Sequence, residues 1–191
     1  MKKIIFVIVF FILILSIGYN IKVIREKNNE KELFITNLCS SILNVTIYLD
    51  SLEAAINSND LNQIKNHLEN VSNGLIEADN QLVIGQQYID NQLYRPGILS
   101  LSFIGNGLLH ETDVNNKRMK RILDDDVIST NEKEYITRLN TDLKNILKEI
   151  TLKDPYAPNT KITMKELNNI FAPFYKTWSS VDSEVYQLIL Q

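Results

Sequence analysis

One cysteine, two histidines, four prolines and six glycines are spread over 191 residues, and each scarcity removes a class of protein. Cys39 has no second cysteine with which to close an internal disulfide, and one thiolate does not make a multi-cysteine zinc site. Set among Leu38, Ile42 and Leu43, it reads as a small buried apolar residue. Neither His67 nor His110 belongs to a convincing metal-ligand pair at a helical spacing, and His110-Glu111 lacks the further histidine of the zinc-helix motif. No metal site and no cofactor is expected. So little glycine and proline leaves few turns for an all-β fold and favours helices. An excess of charge of one sign is missing too: 20 basic against 23 acidic residues give a formal net charge of -3. Nucleic-acid binders carry a basic excess or patch, so no nucleic-acid partner is expected.

What the chain does have is a long apolar run. Lys2 and Lys3 precede Ile4 to Leu15, which contains no polar side chain, and the character continues through Ser16, Ile17, Gly18 and Tyr19. Extended through Ile21, Val23 and Ile24, with Lys22 snorkelling, residues 4–24 give about 20 residues, the length a helix needs to cross a hydrocarbon core. Residues 1–24 therefore read as a membrane anchor, with the membrane as the partner of residues 4–24. The competing reading is a secretory signal: Ser16-Ile17-Gly18 places small residues where a signal peptidase cuts, so that cleavage near Gly18 would release a secreted protein. No cysteine follows the run to accept a lipid. Lys2 and Lys3 on one side face Lys22, Arg25, Lys27 and Lys31 on the other, so the positive-inside rule does not decide orientation. The signal-like order of a short basic tail before an apolar core places the N-terminus inside and residues 25–191 outside the cytoplasm.

Downstream, apolar residues recur in alternating steps of three and four, which only a helix turns into one stripe. Ile35, Leu38, Ile42, Val45, Leu49, Leu52 and Ile56 mark a first helix from about Glu30, widened by Phe34, Leu43 and Ile47 beyond a two-stranded coiled-coil seam. Ser58-Asn59-Asp60 interrupts it, and Asp60 with Gln63 has the spacing of a capping box. Leu61, Ile64, Leu68, Val71, Leu75, Ala78, Leu82 and Ile89 mark a second helix, ended by Arg95-Pro96-Gly97. Leu101, Ile104, Leu108, Met119, Ile122 and Leu123 suggest a third, from about Ile98 to Asp126, with a kink near Gly105 and Gly107. Ser129 with Glu132, or Asn131 with Glu134, caps a fourth helix carrying Ile136, Leu139, Leu143, Ile146 and Ile150. After the loop at 154–159, Thr163 and Glu166 cap a last helix bearing Leu167, Ile170, Phe174, Trp178, Val181, Val185 and Leu188, kinked or restarted at Pro173. The fold class predicted is all-α: an N-terminal transmembrane or signal helix, then an up-and-down antiparallel bundle of four to five helices in residues 25–191.

Candidate chemistry is thin. Gly105-Asn106-Gly107 has no preceding strand, and reads as a kink or a close helix crossing rather than a phosphate loop. Lys117, Arg118, Lys120 and Arg121 are followed by Asp124, Asp125 and Asp126, so a self-screened helical face is expected. Those aspartates lack the alternation and the glycine of a calcium loop. Phe171, Phe174, Tyr175 and Trp178 have the spacing of core residues before that of a ligand groove. No catalytic residue is assigned. The function expected is a membrane-anchored, non-enzymatic module that binds a protein or an envelope component. The second reading is a ligand-sensing ectodomain, which would need a separate transducer because only about three residues precede the apolar core. The third, an enzyme, would have to bring together carboxylates such as Glu53, Glu69 and Glu77.

Overall fold

The structure is a computed structural model that describes residues 2–93, 100–114, 117–178, 180 and 182–190, with side chains from residue 10 onward except at 114. The turn expected at Arg95-Pro96-Gly97, the expected start of the third helix at Ile98, and Val181 of the last stripe lie outside the described residues.

Helix α1 (Lys2–Ser58) runs for 57 residues, about 85 Å at 1.5 Å per residue. It passes from the apolar run into the first amphipathic stripe without a break, because nothing between Lys2 and Ser58 interrupts it: no proline, and one glycine, Gly18. Among the described residues it is the one helix long and apolar enough to cross a membrane. Its character changes along its length. Phe10 to Leu15, Ile17, Tyr19, Ile21 and Ile24 are exposed, whereas from Phe34 onward Ile35, Leu38, Ile42, Val45, Leu49 and Leu52 are buried. Cys39 is buried with them as a free thiol, and that burial raises its pKa.

Asn59 ends α1 in the left-handed conformation at φ 55, a backbone that asparagine tolerates well. Asp60 then starts α2 (Leu61–Ile84) by accepting the Gln63 N–H at 3.1 Å. Only half of the expected capping box forms, since the Gln63 amide donates to the Asp60 carboxylate at 3.0 Å instead of accepting from its backbone. Ile64, Leu68, Val71, Leu75, Ala78 and Leu82 pack onto α1. Beyond Ile84 the helix widens into a π-type turn, Gly85–Ile89. A Cβ at Gly85 would run into the Phe34 ring, so the missing side chain lets the two helices meet there.

The third helix is much shorter than its spacing suggests. Helix α3 (Leu101–Leu109) ends at His110, and the polar stretch that follows folds into a hairpin of β1 (Thr112–Val114) and β2 (Lys117–Met119) paired Thr112 to Met119. With no apolar residue between His110 and Thr112 to bury against α2, a longer helix would have gained nothing from packing. Met119, Ile122 and Leu123 are buried all the same, but the hairpin and the loop after it deliver them. Gly105 makes the close crossing: a Cβ there would stand 2.8 Å from the Ser72 carbonyl oxygen of α2.

Helix α4 (Thr130–Ile150) carries the full capping box, Ser129 Oγ accepting the Glu132 N–H and the Glu132 carboxylate accepting the Ser129 N–H. Thr163 and Glu166 do the same for α5 (Met164–Trp178). Of the kink or restart expected at Pro173, the restart does not occur, since α5 runs through it. The break comes after Trp178, and α6 (Glu184–Gln187) follows, with the Tyr186 hydroxyl donating to the Trp178 carbonyl at 3.1 Å and closing the gap. Tyr135, Phe174, Trp178 and Tyr186 form an aromatic centre, Trp178 stacked on Phe174 and edge-on to Tyr135. The Trp178 indole N–H donates to Asp142 at 2.8 Å. Asn140 and Lys144 donate to Asp50, and Lys133 to Asn57, which fastens α4 along α1. The molecule is thus mostly helical, with six α-helices and one short hairpin among the described residues.

Candidate functional site

Residues 120–129 have neither an apolar stripe nor glycine, and their backbone is held by bonds to three different elements. The Lys120 N–H donates to the Ile189 carbonyl at 3.1 Å, Ile122 to Leu108 at 3.1 Å, and Leu123 to the Glu132 carboxylate at 2.7 Å. These bonds hold Leu123 at φ 65 while its side chain is 5% exposed, and Asp126 follows at φ 59. Left-handed backbone costs a non-glycine residue about 1–2 kcal/mol. Such strain persists only where the surroundings impose it, and it concentrates at functional sites. Here Glu132 imposes it, one carboxylate oxygen holding Leu123 and the other capping α4.

Two clefts flank the loop and share Arg121. One, of about 240 Å³, has Lys120, Asp124, Asp125 and Glu132 on its walls and Leu188 to Leu190 beside them. The other, of about 380 Å³, lies between the loop and α2, with Lys65, Glu69, His110 and Asp126 around Leu68, Leu108 and Leu123. Charge is closely paired. Lys65 meets Asp126 at 2.7 Å and Arg121 meets Asp124 at 3.0 Å. The hydrogen bond from Lys65, with its charge, holds the Asp126 carboxyl below its ordinary pKa. Both clefts offer mixed polar walls over apolar residues, suited to recognition by hydrogen bonding and shape.

The basic and acidic residues neutralise one another as expected, but not along one helix. Lys117 pairs with Asp182 and Arg118 with Glu111, and only the Arg121–Asp124 pair has the foreseen spacing of three, on a loop. His110 is exposed at the lip of the larger cleft, and His67 is half-buried on α2. Of Glu53, Glu69 and Glu77, Glu69 alone lines either cleft; Glu77 is exposed and Glu53 half-buried on α1. Phe171, Phe174, Tyr175 and Trp178 are buried in the core. Among the described residues no group of three or more His, Cys, Asp and Glu side chains could hold a metal ion. Sequence reasoning foresaw the capping role of Glu132 but missed its hold on Leu123, since nothing in residue type marks a leucine for left-handed backbone. No protein-family model, no curated protein and no solved structure matches the chain.

Proposed function

We propose that this chain is a single-pass membrane protein in which residues 4–24 anchor an antiparallel helical bundle outside the cytoplasm. The bundle binds a protein or another envelope component through the loop 120–129 and catalyses no reaction. Anchoring is supported by the exposed apolar surface of α1 from Phe10 to Ile24, a surface that water solvates poorly. The bundle arrangement is supported by the two-residue link between α1 and α2. It is also supported by contacts in reverse order along α4 and α1, Lys133 with Asn57 and then Asn140 with Asp50. The observation that carries the binding role is the strained backbone at Leu123 and Asp126 between two clefts, at the end of the bundle farthest from the apolar run. Asn57 marks that end, 33 residues beyond Ile24 on one helix, or about 50 Å at 1.5 Å per residue. A strained loop held that far from the lipid presents a preorganised surface to something beyond it.

The test is site-specific photocrosslinking in intact cells with the full chain. A crosslinker at Val127, on the loop and 63% exposed, should give one discrete adduct, while one at Ile47, 43% exposed on α1, should give none. Equal adducts from both positions, or none from Val127, would sink the assignment of the loop. Labelling of Val127→Cys by an impermeant maleimide in intact cells should succeed; labelling only after lysis would reverse the orientation. Retention of residues 1–24 on N-terminal sequencing separates an anchor from a signal cleaved near Gly18.

A second reading, ligand sensing with a separate transducer, is favoured by one observation. The 380 Å³ cleft falls within the roughly 300–1,000 Å³ of small-molecule sites. A small polar ligand that raised the melting temperature of the wild type but not of Arg121→Ala would support it.

A further inference from the structure

Beyond the anchor run, the exposed large apolar side chains among the described residues are Leu33, Ile47, Leu61, Ile84, Tyr88, Val127, Leu152 and Tyr156. Five of these, Leu33, Ile84, Tyr88, Leu152 and Tyr156, lie at one end of the bundle, although they come from three separate stretches of chain. Gly85 faces the Phe34 ring, which sets Ile84 and Tyr88 level with Leu33. Helix α4 descends α1 from Asn57 past Asp50, so its end at Ile150, ten residues beyond Asn140, lies about 15 Å closer to the apolar run than Asp50 does. The Asn159 N–H returns to the Ile150 carbonyl at 2.9 Å, keeping Leu152 and Tyr156 at that end. The α5 start is tied there as well, Asn168 donating to the Gln92 carbonyl at 2.9 Å.

From this convergence we infer that the base of the bundle rests on the headgroup layer of the membrane that α1 enters, with Tyr88 and Tyr156 as its interfacial contacts. The inference rests on the anchor reading. Because α1 is unbroken, Leu33 stands nine residues past Ile24, or about 13 Å along the axis. Headgroups occupy roughly 5–7 Å of that distance. A tilt of about 20°, ordinary for a membrane helix, lowers a helix packed about 10 Å away by about 3 Å, and the tyrosine side chains span the rest. Tyrosine suits this level, since its ring enters the acyl boundary while its hydroxyl stays wet. Charge does not drive the contact: the four basic residues of 22–33 are nearly matched by Glu26, Glu30 and Glu32, and Lys153 and Lys161 by Asp90 and Asp154. The surface engaged is therefore zwitterionic phospholipid, and the contact persists in high salt.

The experiment uses the full chain reconstituted in phosphatidylcholine vesicles, with an environment-sensitive fluorophore on single cysteines in a Cys39→Ala background. A parallel set retains the buried Cys39 in case that substitution disturbs the fold. Tyr88→Cys and Tyr156→Cys replace side chains that are 75% and 72% exposed, so the core is untouched. Labels at 88 and 156 should emit to the blue of a label at Val127→Cys and lose intensity to a headgroup-level lipid quencher, in low and high salt alike. A label at Tyr19→Cys should be quenched from within the membrane. Quenching at 19 with labels at 88 and 156 as bright as at 127 overturns the inference and leaves the anchor standing. A label at 19 that escapes quenching overturns the anchor itself. A blue shift at 88 and 156 without lipid quenching means that protein covers the base, and also overturns it.

Discussion

Replacing Glu132 by alanine should destabilise the fold far more than removing the cap it belongs to. Ser129→Ala deletes one capping acceptor, typically worth about 1 kcal/mol. Glu132→Ala deletes two acceptors at once, those of the Ser129 and Leu123 N–H groups, each at 2.7 Å. Hydrogen bonds to a charged group contribute about 1.5–3 kcal/mol each. Ser129 is open to water, which replaces its bond in part, so its share falls at or below the lower limit. The Leu123 N–H is partly buried, and the same bond opposes the roughly 1–2 kcal/mol that left-handed backbone costs a leucine. The expected loss is about 2–4 kcal/mol for Glu132→Ala against about 1 kcal/mol for Ser129→Ala. Glu132→Gln, with one acceptor oxygen left, should fall between them. The assay is urea unfolding of the full chain in detergent micelles followed by Trp178, the only tryptophan and fully buried. If Glu132→Ala proves no worse than Ser129→Ala, the carboxylate does not hold the loop and the strain argument fails.

Two further perturbations test other parts of the fold. Gly105→Ala should lower stability by about 1–2 kcal/mol, since overpacking costs about 1–3 kcal/mol and exceeds the roughly 1 kcal/mol gained in helix propensity. Gly107→Ala, whose Cβ would meet only the Met119 methyl at 3.5 Å, should be stabilising; thermal melts that rank the two the other way would contradict the close crossing. Burial works to raise the pKa of Asp50, but hydrogen bonds from Lys144 and Asn140 and the Lys144 charge outweigh it, so the folded value lies below the ordinary one. A depressed carboxyl stabilises the fold above its unfolded value of about 4 and loses that contribution as pH falls through the folded value. Urea midpoints should therefore drop as pH is lowered below about 4, and drop less steeply in Lys144→Met.

The long stripes were legible because burial on one face of a helix leaves a repeat in the residues themselves. Leu38, Ile42, Val45 and Leu49 on α1, and Ile136, Leu139, Leu143 and Ile146 on α4, needed no other information. The same repeat misled at Met119, Ile122 and Leu123, which are buried at helical-looking intervals but arrive by way of a hairpin. Spacing records which residues are covered, not the path that brings them to cover. The end of α5 was hidden for a related reason: Val185 is buried, as a continuous stripe would have it, yet the helix ends at Trp178. At the loop, Ser129 and Glu132 announced a cap through their types and interval. The turn at Leu123 announced nothing, because it follows from partners in α3, α4 and the segment before the C-terminus.

The unbroken course of α1 makes the number of residues between Ile24 and Phe34 matter more than their identities. Residues 25–33 are mostly polar and exposed, so their side chains can be exchanged with little loss of packing. Their count fixes an azimuth. Each residue advances a helix by about 100° and 1.5 Å, so one inserted there would swing the loop at Val127 more than a quarter-turn about the axis of α1 while scarcely altering its height. On the proposed anchor, this stretch acts as a protractor that sets which way the far end of the molecule points along the cell surface.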